Sequence, residues 1–290
     1  MSTWAIPLAV GAAAAWALGM TTAKPALRSW DGLSYLLGRW VLVALLALLY
    51  AGISGRLAFP GWKPAAMASL AGILDAAAGG ILYVTALERT SAYRATTLSN
   101  TAPFWGVLAS VLFLGEPLRW GVVVAAGLVV IGAWFLTERD IVSGRPSDPF
   151  GTFLALSAGI LWGFAETVPS KLALEGGLSP SALLFVFAVA GVLGLLALMP
   201  LLRRRVPRRA DRRGLRFVLL SAVGGAFLGW ILWLVALTQA PASVLSPVRG
   251  ATMIFAFAYS VVFLRERPTR RAMAGLAFAV AGVFLVVFAV

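Results

Sequence analysis

Ten long apolar runs dominate this chain, and few folds can accommodate them. They cover Trp4 to Thr22, Leu33 to Tyr50, Pro64 to Leu87, Ala92 to Phe113 and Trp120 to Leu136, then Phe150 to Ser170, Ser181 to Leu202, Leu215 to Thr238, Ser243 to Leu264 and Ala272 to Val290. A helix of roughly 20 apolar residues matches the hydrocarbon core of a bilayer. The runs are apolar all round, without the apolar/polar alternation of a barrel strand. Composition agrees, with 61% hydrophobic and 12% charged residues against about 25% charged in soluble domains. The sequence therefore predicts an all-α integral membrane protein with ten transmembrane helices. The first run lacks a basic start, so it reads as a span and not as a cleavable signal.

Turn chemistry separates the runs: Lys24-Pro25, Phe59-Pro60-Gly61, Gly115-Glu116-Pro117 and Glu175-Gly176-Gly177, with Ser179-Pro180 reading as an N-cap and a helix-starting proline. The chain has neither Cys nor His, which removes disulfides, the usual zinc sites and Ser/His or Cys/His nucleophile pairs. No Gly-rich loop ends in Gly-Lys, so direct ATP use is not indicated. An intramembrane enzyme has no visible constellation, and no cofactor or metal is expected.

The net charge of +13 follows membrane topology. Eighteen of the 24 Lys and Arg lie in loops that follow odd-numbered runs, eight of them between Arg203 and Arg216, and four in loops that follow even-numbered runs. The positive-inside rule then puts the odd loops in the cytoplasm and both termini outside. Nucleic acid is not an expected partner. A lipid-binding scaffold using the Arg-rich loop is a remote alternative.

Shifting the chain by 150 positions superposes Ala86-Leu87 on Ala236-Leu237, Ser110-Val111 on Ser260-Val261, and Phe113, Leu114 and Glu116 on Phe263, Leu264 and Glu266. Trp16 and Lys24 correspond more loosely to Trp162 and Lys171. This predicts a five-span unit at 1–137, a linker at 138–149 and a second unit at 150–290. An odd number of crossings inverts one copy relative to the other, the plan of many secondary transporters, around a central cavity.

With "FLGEP" at Phe113 to Pro117 and "FLRERP" at Phe263 to Pro268 closing the fourth and ninth runs, the chain resembles the drug/metabolite transporter superfamily, in its EamA-like ten-span branch with the YddG-like amino-acid exporters. The resemblance covers essentially the whole chain. It implies movement of amino acids, other metabolites or organic cations through a cavity between the halves. It also implies cytoplasmic termini, opposite to the charge count, so that both orientations stay open.

Small residues recur every four positions at Gly11, Ala15 and Gly19, at Ala68, Gly72, Ala76 and Gly80, and at Gly151, Ala155, Gly159 and Gly163. These stripes predict close helix packing. Ionisable groups inside runs are the sharper signal, because each costs roughly 2.5–3.5 kcal/mol at mid-membrane. Asp75 sits near the midplane, a candidate for a substrate amine or a proton. Arg249 and Glu166 share a leaflet, and either pair with each other or receive a substrate carboxylate and ammonium. Arg39 can snorkel to the odd-loop face.

The fourth run carries Thr97, Asn100, Thr101 and Phe104 on one face, ahead of Pro103. Pro103 and Pro247 are candidate hinges, since each leaves a carbonyl without its helical partner. Among the aromatics, Trp16, Tyr83, Trp105, Trp162, Tyr259 and Trp233 are candidates for an apolar wall or a cation cage. Taken together, these features predict a secondary transporter exporting small metabolites by alternating access, with amino acids foremost. A carrier for organic cations or drug-like amines is the alternative. The expected setting is the plasma membrane of a bacterium, with a coupled proton or an exchanged solute as second substrate and a monomer or homodimer as the unit.

Overall fold

The computed structural model describes residues 2–27, 29–89, 95, 98–136, 148–199, 212–264 and 270–289. Among these residues every regular element is a helix. In order they are α1 (Ala5–Ala26), α2 (Gly32–Ile53), α3 (Trp62–Gly72), α4 (Gly80–Arg89), α5 (Ala102–Leu114), α6 (Trp120–Leu136) and α7 (Pro149–Glu175). Then come α8 (Pro180–Leu198), α9 (Arg212–Leu220), α10 (Leu228–Leu237), α11 (Ala242–Val248), α12 (Ala251–Leu264) and α13 (Arg270–Ala289). Most of the Arg-rich loop and of the expected 138–149 linker lies outside the described residues.

Local chemistry sets the helix starts. Asp31 caps α2, accepting from the Leu33 and Ser34 amides at 3.1 Å. Ser179 caps α8 through the Ala182 amide at 3.1 Å, ahead of Pro180 as the sequence suggests. Asp148 caps α7, accepting from Phe150 N–H at 2.9 Å, with Arg89 at 3.2 Å. The Phe150 amide, supported by Arg89, holds the Asp148 carboxyl below the ordinary carboxylate range.

Among the described residues six rods are long and apolar enough to cross a membrane: Ala5–Ala23, Gly32–Ile53, Trp62–Ala86, Pro149–Glu175, Pro180–Leu198 and Gly214–Leu237. Shorter apolar helices run at Ala102–Leu114, Trp120–Gly132 and Met273–Leu285. The surface is greasy: Leu45, Leu112 and Leu193 are 58%, 67% and 60% exposed, while Asp75, Asn100 and Glu166 are buried. Apolar side chains outside and charges inside fit a solvent of lipid, in which exposed leucine costs nothing and exposed charge is penalised. This is an integral membrane protein.

Two of the expected spans are not uniform helices. Ile73–Gly79, between α3 and α4, and Ser221–Phe227, between α9 and α10, are π-helical and lie 148 positions apart. The Gly80 amide reaches back to the Asp75 carbonyl and the Leu228 amide to the Val223 carbonyl, each five residues away. A π turn carries an extra residue and widens the helix locally. The sequences ILDAAAG and SAVGGAF are rich in small side chains, which leave room for that widening. The ninth run is also interrupted, at Arg249-Gly250 between α11 and α12, and Asn100-Thr101 forms a turn just before α5.

The closest packing joins the two halves of the chain: α6 with α13, α2 with α8, α5 with α7, and α1 with both α10 and α12. The small-residue stripes carry these approaches. A Cβ built on Gly19 would stand 3.0 Å from the Gly225 Cα, and one on Gly163 would stand 2.8 Å from the Gly106 nitrogen. Since lipid is as apolar as the side chains, backbone proximity of this kind supplies the association energy through van der Waals contact.

Candidate functional site

The first π segment, the two chain breaks and α1, α2 and α7 converge on a cavity of about 100 Å³. Four indoles, those of Trp16, Trp40, Trp162 and Trp230, form its apolar wall. Its polar wall is made by Arg39, Asp75, Asn100, Glu166, Arg249 and Thr252. Two acids and two guanidiniums therefore share one small space inside a greasy bundle.

Asn100 and Arg249 reach this space from the two breaks, 149 positions apart in the chain. At these turns the helical ladder is interrupted, and irregular backbone at depth is tolerated only against protein or a wet cavity. The breaks are tied together: the Ser246 hydroxyl donates to the Pro103 carbonyl at 3.0 Å. Pro103 opens α5 and Pro247 lies near the end of α11. Each candidate hinge therefore sits two or three residues from a real break.

Arg249 and Glu166 form an ion pair through Nε and Oε2. The Arg249 guanidinium also lies over the Trp16 ring, 5.5 Å from its centroid. The Glu166 backbone is held as well, its carbonyl accepting from Trp233 Nε1 at 2.9 Å. This pair links α7 to the α11–α12 break and to α1. The sequence left open whether the two residues pair, and the structure joins them.

Asp75 and Arg39 are placed differently. Asp75 is 8% exposed, yet its carboxylate has no hydrogen bond or ion pair among the described residues. Arg39 has a buried Nε without a hydrogen-bond partner, and its guanidinium rests 5.4 Å from the Trp40 ring centroid. Instead of snorkelling outward, Arg39 lines the cavity. The Thr252 hydroxyl, buried and also without a partner, faces the same space.

The tryptophans are seated by glycines of the opposite half. Trp162 lies on Gly79 and Trp16 on Gly229, so that a Cβ on either glycine would meet indole atoms at 2.5 and 2.7 Å. Trp162 Nε1 also donates to the Asp75 carbonyl at 3.2 Å, fixing the π segment that presents Asp75.

The sequence profile of the EamA-like transporter family matches residues 3–138 and, a second time, residues 149–288. The chain belongs to the EamA-like transporter family. This EamA-like chain is 24% identical over 179 residues to an uncharacterized transporter of Helicobacter pylori (strain ATCC 700392 / 26695), a match over 60% of this chain that spans 58% of the relative's length. A solved crystal structure of a protein shares its fold, with TM-score 0.82 over 99% of this chain and 98% of the other at 16% identity.

Six of the candidate binding residues read from the sequence line the cavity of this EamA-family chain: Trp16, Asp75, Asn100, Trp162, Glu166 and Arg249. Tyr83, Thr101, Trp105, Tyr259 and Trp233 are not part of its lining. Tyr83 stands behind Trp162, ring centroids 5.3 Å apart. Thr101 donates to the Leu98 carbonyl at 2.7 Å and accepts from Trp105 Nε1 at 3.0 Å, because the break turns both side chains back onto their own segment. Tyr259 lies near Phe255 at 6.4 Å. Thr97 falls outside the described residues.

Trp40, Trp230 and Thr252 were not legible as lining residues, because they carry no intramembrane charge and sit in ordinary apolar runs. Glu116 of "FLGEP" has a role that the motif alone did not disclose. Its two carboxylate oxygens accept from the Ala242 and Ser243 amides at 2.8 and 2.7 Å, capping α11 across the chain. Glu266, its counterpart in the second motif, lies outside the described residues. Lys171 performs the converse task at the end of α10, donating to the Leu237 and Ala240 carbonyls at 2.5 and 3.1 Å.

Proposed function

We propose that this chain is a secondary transporter that exports small metabolites by alternating access, with amino acids as its leading substrate class. Ten crossings, built as inverted five-helix units at 1–137 and 150–290, would place the cavity on the axis between two nearly equivalent halves. In support, the family profile matches twice, the π segments recur 148 positions apart, and the two broken helices deliver Asn100 and Arg249 to one space. A plasma-membrane setting in a bacterium belongs to this reading, as does a coupled proton or an exchanged solute. For orientation we adopt external termini, on the charge bias.

The observation that carries the substrate class is the pairing of both charge signs with indole surface in about 100 Å³. A zwitterion needs an acceptor for its ammonium, a donor for its carboxylate and an apolar wall. The small volume favours a metabolite over a drug-sized solute, whose pockets span roughly 300–1,000 Å³.

Counterflow in proteoliposomes of the full chain tests it: labelled amino acids are loaded inside and their exit is followed with and without external amino acids. Efflux that unlabelled amino acid accelerates is the expected result. A protein that moves quaternary amines and no amino acid would instead be an organic-cation carrier, a reading favoured by Asp75 lying beside indoles without an ion pair among the described residues. Cysteine introduced at Ser2 and labelled by an impermeant reagent in intact cells supports external termini. Protection there would reverse the orientation.

A further inference from the structure

The four charged groups of the cavity are not equivalent, and the difference indicates which of them touch the transported solute. Glu166 and Arg249 neutralise each other, and both are anchored further, one through its backbone to Trp233 and the other over Trp16. Opening that pair for a ligand would strand two buried charges, and breaking a buried pair is strongly unfavourable. Asp75 and Arg39 have no such commitment among the described residues. They border the same space without approaching to ion-pair distance.

We infer that Arg39 and Asp75 divide the recognition of a zwitterion between them, Arg39 taking its carboxylate and Asp75 its ammonium, while Glu166–Arg249 is a positioning pair that stays closed around the ligand. This rests on the amino-acid transport reading above and assigns the specificity within it. A guanidinium offers a planar fork matched to a carboxylate, whereas an amine lacking the carboxylate gains nothing from it. A zwitterion brings a partner for each group, whereas a cation or an anion leaves one buried charge bare. The Thr252 hydroxyl supplies a further hydrogen bond beside them.

Size narrows the class. At about 100 Å³ the cavity suits a solute in the size range of amino acids and simple amines and not a drug-sized one. Leucine falls in that range. Three probes then share one carbon skeleton: leucine, isoamylamine without the carboxylate, and 4-methylpentanoate without the ammonium.

The experiment measures binding of each probe to the purified full chain in lipid nanodiscs, by intrinsic indole fluorescence and by calorimetry, with flux in proteoliposomes followed separately. Wild type should bind leucine more tightly than either truncated probe. Arg39→Gln should weaken leucine about ten-fold or more and leave isoamylamine within about two-fold, the loss of one charge-assisted hydrogen-bonded contact. Asp75→Asn should weaken leucine and isoamylamine while sparing 4-methylpentanoate. Should Arg39→Gln fail to fold, Arg39→Lys keeps the charge without the fork, and a smaller loss confined to leucine is expected.

Equal weakening of leucine and isoamylamine by the Arg39 variants overturns the inference. So does a wild type that prefers isoamylamine, or one that does not bind leucine. Arg39-dependent leucine binding without any flux would overturn the transport reading alone and leave this assignment standing.

Discussion

Trp162 donates its indole hydrogen to the backbone carbonyl of Asp75 at 3.2 Å, from a helix of the C-terminal half to the π segment of the N-terminal half. That bond holds the strand of irregular backbone on which the candidate ammonium acceptor is mounted. Trp162→Phe retains a ring and loses the donor, so a stability loss of about 0.5–1.5 kcal/mol is expected. Thermal unfolding in detergent measures it, and an unchanged midpoint would show that the bond contributes nothing.

Gly79→Ala and Gly229→Ala place a methyl group against Trp162 and Trp16, at 2.5–2.7 Å from their indole atoms before relaxation. Overpacking of this kind costs about 1–3 kcal/mol. Pairing Gly79→Ala with Trp162→Phe should give a coupling of at least about 0.5 kcal/mol in a double-mutant cycle, whereas Gly79→Ala with Trp16→Phe should add independently.

Glu166→Gln leaves Arg249 buried without its counter-charge, and Arg249→Gln does the reverse. Each single change should destabilise by about 3–5 kcal/mol, while the double change should recover much of that loss. Chemical denaturation of the four proteins decides the matter. Equal stability of wild type and single variants would mean that water already satisfies both charges.

Glu116 supplies the acceptors at the start of α11. Glu116→Ala should cost about 0.5–2 kcal/mol, the range for lost helix caps, and Glu116→Gln, which keeps one oxygen, should cost less. Hydrogen exchange at the Ala242 and Ser243 amides reports the same event locally. Protection that survives Glu116→Ala would refute the cap.

Asp148 provides a pH dependence whose sign follows from its lowered carboxyl. Because its folded value lies below its unfolded one, the carboxylate's stabilisation is complete above the unfolded value of about 3.9 and vanishes as pH falls through the folded value. Melting midpoints of wild type and Asp148→Ala should therefore differ at neutral pH and converge in acid. A gap that persists at the lowest pH would assign the effect to packing.

Much of the architecture was legible because lipid imposes one rule: a helix long enough to cross must be apolar for about 20 residues. The same rule made Asp75, Glu166 and Arg249 conspicuous, since a charge in such a run needs a reason. Indoles have no such contrast against leucine, and Trp40 and Trp230 stayed hidden. Arg39 was misread because its distance from the run's end allowed snorkelling, whereas the rotation of α2 turns it inward. The π segments left no trace in hydropathy, because a widened turn of alanines and glycines is as apolar as a regular one. Thr101 shows the complementary error: helical spacing grouped it with Asn100, but the turn between them separates their directions.

The extra residue carried by each π turn acts as a gear tooth in its rod. Were Ala77 deleted, the segment could close into regular helix and the rod beyond it would keep roughly its present heading, because seven residues of π turn sweep about the same angle as six of α. What would go is the wider girth at Ile73–Gly79, where a bare glycine and the Asp75 carbonyl meet one indole. The bulge thus extends the reach of the rod towards Trp162 without disturbing its ends.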